Sequence, residues 1–291
     1  MRDLLQPSYH VLSLGAGVQS TTVYLLGLDS ALPVRFDAAV FADTGDEPAA
    51  VYQHLDWLRT LGGPPIITRS AGRLGDDVIN GRNSTGQKFH AASIPAYTGN
   101  GLPGYSALGK GHRQCTREYK IRVVEQAIRR DVLGLAPRRP TPKHVTVHQY
   151  IGISVDEARR AVSIRARFAV GERKGVPHFP LLDLGWTRND CTEYLKDRVP
   201  HLVGRSACVF CPLKSDREWR LLKESDPAGW DRAVAIDEAL RSPDRAAVVM
   251  RMRLPLFLHR SARPLRTASL AGETNGTFPY FATECEGACG V

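Results

Sequence analysis

The apolar residues fall into short runs divided by glycine- and proline-bearing turns. Residues 9–14 read as a buried strand, and residues 20–28 as a helix with a Leu-rich face. Residues 38–42 (AAVFA) form a second apolar run, closed by Asp43, Thr44 and Gly45. Residues 48–61 place Val51, Leu55 and Leu58 at helical spacing, and residues 65–68 suit a third strand. Strand, helix, strand, helix, strand predicts an α/β fold built on a doubly wound parallel sheet.

The pattern changes at residue 74. Residues 74–110 are rich in Gly, Asn, Ser and Pro with few periodic apolar positions, which predicts a long loop or lid. Beyond it, residues 116–132 read as a helix, 145–153 (VTVHQYIGI) as a strand, and 156–168 as a charged helix. Residues 179–182 suit a short strand, 187–198 a helix, and 219–240 are largely helical. The last fifty residues turn Arg-rich, then Gly-rich, and include two Cys. The expected division is a nucleotide-binding part, residues 1–204, and a C-terminal cysteine-bearing helical region, residues 205–291.

Bulk properties narrow the function classes. A chain of 291 residues with 43% hydrophobic and 24% charged content suits one large α/β domain, alone or with a smaller part appended. No apolar run of about 18 residues occurs, so no membrane partner is expected. Residues 1–10 lack the apolar core of a signal peptide, and the expected location is cytoplasmic. The formal net charge is +9. It is uneven: residues 110–130 hold seven basic and two acidic side chains, and residues 241–266 hold seven Arg and one Asp. A phosphate-rich partner (nucleotide, tRNA or DNA) would fit both concentrations, although a nucleotide site alone accounts for the first.

The first strand-to-helix turn carries candidate chemistry. It runs Ser13, Leu14, Gly15, Ala16, Gly17, Val18, Gln19, Ser20, Thr21, Thr22. Glycines let backbone amides approach phosphate oxygens, the hydroxyls add donors, and a helix N-terminus favours an anion. The plain alternative is an ordinary glycine-bearing turn. The Gly-Lys-Ser/Thr ending of a Walker loop is missing, and so is the third glycine of a dinucleotide fingerprint.

These residues resemble the PP-loop of adenine nucleotide α-hydrolases, usually Ser-Gly-Gly-x-Asp-Ser. Gln19 stands where the usual Asp helps bind magnesium, which is closer to the phosphoadenosine phosphosulfate (PAPS) reductase branch. Phe41-Ala42-Asp43-Thr44-Gly45 with Glu47-Pro48 resembles that branch's second-strand motif. Ile151-Gly152-Ile153 followed by Asp156, Glu157 and Arg160 resembles its later strand–loop–Arg segment, and Pro180-Leu181-Leu182-Asp183 with Trp186 the segment before its next helix. The resemblance covers roughly residues 9–201. It implies an adenine nucleotide, ATP or a sulfonucleotide, held by Ser13, Gly15, Ala16, Gly17, Val18, Gln19, Ser20 and Thr21. Asp43 and Thr44, with Gly152, Arg160 and Lys120, complete the site, and Asp43 acts through Mg2+ or ribose.

Six cysteines stand at 115, 191, 208, 211, 285 and 289. In a cytoplasmic chain such spacing points to metal or redox chemistry. Cys208-Val209-Phe210-Cys211 is a CxxC able to set two thiolates on one metal; the plainer readings are small buried residues or a redox pair. In PAPS reductases and related DNA-phosphorothioation enzymes, an Arg-x-Cys segment ending in Lys supplies an iron–sulfur ligand. Arg113-Gln114-Cys115-Thr116 with Lys120 resembles it, although Thr116 replaces the second of two adjacent Cys. The resemblance implies a 4Fe–4S cluster on Cys115, Cys208 and Cys211, with Cys289 or Cys285 as fourth ligand; zinc fits the same donors. Glu284-Cys285 matches the reductases' terminal Glu-Cys, which makes Cys285 the expected sulfur-handling nucleophile, although Glu286 replaces the usual Gly. A tail with adventitious cysteines is the bland alternative. Cys191, inside a helical pattern, reads as structural.

The histidines are scattered, with His144 and His148 flanking one strand, and neither HExxH nor G-x-S-x-G occurs. The expected activity is ATP-dependent sulfur transfer to a nucleic acid, with a cysteine desulfurase or thioredoxin-like donor. The alternatives are an assimilatory sulfonucleotide reductase and a non-catalytic nucleotide-binding module with a structural metal.

Overall fold

A computed structural model describes residues 7–87, 93–102, 107–242 and 254–271. Its first elements follow the apolar pattern: β1 (Ser8–Ser13), α1 (Val18–Leu28), β2 (Ala38–Asp43), α2 (Ala49–Thr60) and β3 (Ile66–Ser70). The segment expected as a long loop contains a short helix, α3 (Leu74–Ile79), and two short strands, β4 (Tyr97–Thr98) and β5 (Gly109–Lys110). Then come α4 (Arg122–Ala127), flanked by π-type turns Thr116–Ile121 and Ile128–Val132, and β6 (Thr146–Ile151). A 3-10 turn, Val155–Glu157, leads into α5 (Ala158–Ala169), followed by β7 (Val176–His178), α6 (Pro180–Asp183) and α7 (Arg188–Lys196). The C-terminal elements are α8 (Asp216–Ser225), α9 (Pro227–Ala239) and β8 (Leu256–Phe257).

Two expectations need correction. The strand placed at residues 179–182 lies just before them, at Val176–His178, and Pro180–Asp183 is helical. Proline lacks an N–H and has a fixed φ, so Pro180 suits a helix's first turn, while Pro177 is tolerated in β7 because that strand is at the sheet edge. The helical stretch 219–240 is two helices broken at Asp226-Pro227, where Asp226 is extended (φ −139°, ψ 74°) and its carboxylate caps Gly229 N at 2.9 Å. A residue before proline is pushed out of the helical region.

The central sheet has five strands, all parallel, in the order β3-β2-β1-β6-β7. Strands buried on both faces read as near-continuous apolar runs, which is why AAVFA was legible. On one face, Leu12, Phe41 and Tyr150 meet α1, α2 and α7 through Val23, Leu55, Leu58 and Leu195. On the other, Val11, Val40 and Val147 meet Val123, Val124 and Ala127 of α4, while Ile151 meets Ala161, Ile164 and Phe168 of α5. Cys191 is fully buried in the first of these cores.

A further core joins α8 and α9 to earlier parts of the chain. Trp219, Trp230, Ile236 and Phe210 pack with Leu74, Val78 and Tyr119. β4 pairs antiparallel with both β5 and β8. Asp237, fully buried, accepts from Leu258 N and Leu265 N, both at 2.8 Å, and so ties residues 254–271 to α9. This core draws on residues from both sides of position 205.

Strand order reverses direction between β1 and β6: β2 and β3 lie on one side and β7 on the other. Ligands of open α/β sheets bind outside the carboxyl ends of strands at such a switch point. The turn after Ser13 and the turn after Ile151 flank it.

Candidate functional site

The turn after β1 is tightly shaped. Ala16 is left-handed (φ 57°), unusual for a residue with a side chain, and Gly17 is extended as the N-cap of α1. Ser20 Oγ lies 3.2 Å from both Gly17 N and Gly17 O, and Thr21 N donates to Gly17 O at 2.9 Å. The first-turn amides of α1 have no intrahelical carbonyl to reach, and a left-handed residue between glycines is the backbone form that makes anion nests. The turn is buried, and two polar atoms in it, Ser13 Oγ and Gln19 Oε1, have no hydrogen-bond partner. Buried polar groups are ordinarily satisfied, so such atoms mark a place where a ligand would be welcome.

Gly152 presses on this turn from β6. A Cβ there would stand 2.7 Å from Ser20 N and 2.8 Å from Gln19 C, so only glycine allows the approach. Gln19 reaches the same segment, its Nε2 donating to Ser154 Oγ at 3.0 Å and to Glu157 Oε2 at 2.7 Å. Glu157 in turn holds Arg160 at 2.9 Å. Ser13, Gly15, Ala16, Gly17, Val18, Gln19, Ser20, Gly152 and Arg160 thus lie on segments that meet at the ends of β1 and β6. Thr21 and Thr22 are turned elsewhere: Thr21 Oγ1 bonds His54 Nε2 at 2.8 Å, and Thr22 Oγ1 donates to Val18 O at 2.9 Å.

A second group forms at the end of β2. Asp43 Oδ1 accepts from Gly45 N at 2.8 Å and from Tyr52 OH at 2.9 Å. Thr44 Oγ1 donates to Glu47 Oε1 at 3.1 Å and lies 3.1 Å from Cys208 Sγ. Lys120 Nζ pairs with Glu47 Oε1 at 3.3 Å, while Glu47 Oε2, also buried, has no partner. The CxxC segment docks here through Val209 N to Asp46 O at 2.8 Å. Asp46 further accepts from Gly75 N and Arg232 Nε, at 2.8 and 2.9 Å, which fixes α3 and α9 around it. Burial pushes the Cys208 thiol well above its ordinary pKa and Glu47 adds to the rise, against a smaller opposing effect of Lys120. Cys208 is therefore a neutral thiol in this environment; a bound cationic centre would reverse that preference.

Cys211 N closes a tight turn onto Cys208 O at 3.0 Å, and Arg205 Nη2 lies 3.8 Å from Cys211 Sγ. Cys115 packs against the same hydrophobic core as Cys208, its amide held by Ser93 O at 2.8 Å. Among the described residues, no three His, Cys, Asp or Glu side chains are already disposed around a metal position. In kind, the thiols of Cys208 and Cys115, which border one core, and of Cys211, one tight turn from Cys208, are soft donors of the type that iron–sulfur clusters and zinc take. Cys285 and Cys289 lie outside the described residues, as does His90.

Sequence reasoning missed three features. Glu47 was read only as part of a motif, yet it joins Thr44, Cys208 and Lys120. His54 and His201 bond at 2.8 Å, and burial, with His201 adding to it, lowers the His54 pKa to about 4. His10, His148 and His178 gather on adjacent strands; His10 and His148 rings stack at 4.7 Å, and His148 Nδ1 lies 2.8 Å from His178 Nε2. Only the last had a legible signal, an alternating His–x–Tyr on a strand, and its partners come from strands far apart in sequence.

Fold and site define an α/β protein with a five-stranded all-parallel sheet, helices on both faces, and a glycine-bearing turn at the strand-order reversal. No family model, curated protein or solved structure matches the chain. No helix among the described residues is long and apolar enough to cross a membrane.

Proposed function

We propose that the protein is an ATP-dependent sulfur-transfer enzyme of the PP-loop pyrophosphatase type, containing an iron–sulfur cluster and acting in sulfur modification of a nucleic acid. One observation carries the reading: neighbouring strands β1 and β2 bring the Ala16-centred turn and the buried Cys208 thiol to the same edge of the sheet. A phosphate-receiving turn beside sulfur-bearing side chains suits a reaction that uses both.

In this reading the amides of Gly15 to Ser20 hold the phosphates, and Asp43 assists through Mg2+ or ribose. An acceptor oxygen attacks the α-phosphorus of ATP and pyrophosphate leaves. The terminal sulfur of a persulfide on Cys285 then displaces AMP, which departs with the acceptor oxygen. The acceptor–S–S–Cys285 bond that results is cleaved by the dithiol of a thioredoxin-like protein, which is oxidised to its disulfide and leaves one sulfur on the acceptor and Cys285 as a thiol. AMP is a good leaving group, and a thiolate is a strong nucleophile near neutral pH. Cys115, Cys208 and Cys211, with Cys289, would hold the 4Fe–4S cluster, or zinc in its place. When bound, the cluster would supply a redox-active, sulfur-binding centre beside the nucleotide. A cysteine desulfurase or a thioredoxin-like protein would supply sulfur or electrons.

A second reading, an assimilatory sulfonucleotide reductase, is favoured by Gln19. It stands where the ATP-cleaving branch that the loop resembles has a magnesium-binding Asp, and its amide is tied to Ser154 and Glu157. Pyrophosphate release from ATP supports the first reading; sulfite release from PAPS with thioredoxin, without pyrophosphate release from ATP, would replace it with the second. Nucleotide binding without turnover of either would leave a binding module.

A further inference from the structure

Two neighbouring stretches carry an excess of positive charge as large as the whole chain's, the other basic concentration at residues 241–266 being offset by acidic residues elsewhere. Residues 117–139 and 158–174 hold thirteen Lys or Arg and four Asp or Glu. That excess of nine equals the formal net charge of the whole chain, +9, so the remaining residues balance to neutrality. The first stretch is α4 with its flanking turns and the loop that follows them as far as Arg139, and the second is α5 with the turn after it. Both pack on the same side of the sheet, α4 over Val11 and Val147, α5 over Ile151. Arg173 fastens them together. It donates to Gln149 Oε1 at 2.7 Å, lies 3.6 Å from Glu125 of α4, and stacks over Phe168 of α5 at 4.5 Å.

The acidic side chains of this face are mostly engaged within the protein. Glu118 accepts from Ser84 N at 3.2 Å, Glu125 faces Arg173, and Asp131 is paired with Arg69. Arg122, Arg165, Arg167 and Lys174 remain exposed. Eleven of the thirteen basic residues are Arg, whose planar fork matches phosphate oxygens in pairs. The 12 residues of α5 span about 18 Å, the axial length of about five base pairs. Its apolar stripe, Ala161, Ile164 and Phe168, is buried against the sheet, whereas a membrane-surface helix keeps that stripe outward. Both helices begin near the candidate site: Lys120 pairs with Glu47, and Glu157 holds Gln19.

We propose that the exposed face of α4 and α5 binds the sugar–phosphate backbone of a nucleic acid and leads it toward the carboxyl edge of the sheet. The inference rests on nucleic acid being the acceptor, and it concerns binding alone. The test is fluorescence anisotropy with a short labelled DNA duplex and the matching RNA, without nucleotide, over a salt series. The variant Arg122→Gln/Arg167→Gln/Lys174→Gln is compared with Arg59→Gln/Lys196→Gln/Arg198→Gln, which removes equal charge from the opposite side of the sheet. The α4–α5 variant is expected to bind about tenfold or more weakly, with the salt slope reduced by about three; the control is expected to stay within about twofold of the parent protein. If the triple variant melts early, Arg122→Gln and Lys174→Gln singly carry the test, each reducing the slope by about one. Equal loss in both triple variants, unchanged binding in the α4–α5 variant, or no nucleic-acid binding by the parent protein overturns the proposal. So does tighter binding to phosphatidylserine vesicles than to either nucleic acid. Because nucleotide is absent, failure of ATP cleavage leaves this inference standing.

Discussion

Substituting Gly152 by alanine places a methyl group where α1 begins. The added Cβ would lie 2.7 Å from Ser20 N, 2.8 Å from Gln19 C and 2.9 Å from Gln19 O. All three are backbone atoms, which cannot rotate aside, so either the end of β6 or the first turn of α1 must move by several tenths of an ångström. Overpacking of this kind costs about 1–3 kcal/mol. In urea denaturation followed by circular dichroism, the midpoint should fall by about 0.5–1 M. The displaced turn carries the amides proposed to meet phosphate, so affinity for a non-hydrolysable ATP analogue should fall about tenfold or more, corresponding to roughly 1.4 kcal/mol. Gly204→Ala is the matched control, because nothing lies within 4 Å of a Cβ there. If Gly152→Ala unfolds and binds nucleotide as the parent does, the close packing of β6 on the phosphate turn is not what shapes the site.

Three further outcomes are expected. His54 holds a folded-state pKa of about 4 against an ordinary 6.5, so the unfolded chain takes up its proton first and stability falls as pH drops through that window. Its share of the loss between pH 7.5 and 5 is about 2 kcal/mol, and His54→Gln should flatten the pH dependence of the urea midpoint by that amount; parallel curves for the two proteins would refute it. Gln19→Asp should destabilise by about 1–3 kcal/mol in the same assay, because a buried carboxylate would face Glu157 and lose both donated bonds; a variant as stable as the parent would show that those bonds contribute little. Cys208→Ser should stay folded yet lose iron and visible absorbance after anaerobic purification, and parental iron content in that variant would remove Cys208 from the ligand set.

The parts of the fold legible in the sequence are those whose partners are local. The AAVFA strand announces itself because both faces are apolar; the helical stretch 116–132 is legible as a whole, but its change from π-type turn to α-helix and back is not. β4 gives no such signal: Tyr97 and Thr98 are a strand only because Leu256 and Phe257 pair with them. α3 was hidden for a similar reason, since Leu74 and Val78 are buried by α9 rather than by anything nearby. Pro180 starts a helix, yet the apolar Phe179, Leu181 and Leu182 around it have the pattern of a short strand. The phosphate turn was legible as glycines and hydroxyls between strand and helix. The roles within it were not, because the hydroxyl of Thr21 and the amide of Gln19 find partners 33 and more than 130 residues away. Glu47 and Lys120 meet for the same reason, through the packing of α4 against the end of β2.

Pyrophosphate release from ATP by the anaerobically purified protein tests the central claim most directly. Release that depends on added nucleic acid and falls with Gly152→Ala is the predicted result. No pyrophosphate under any of these conditions, from protein that still binds nucleotide, would contradict it.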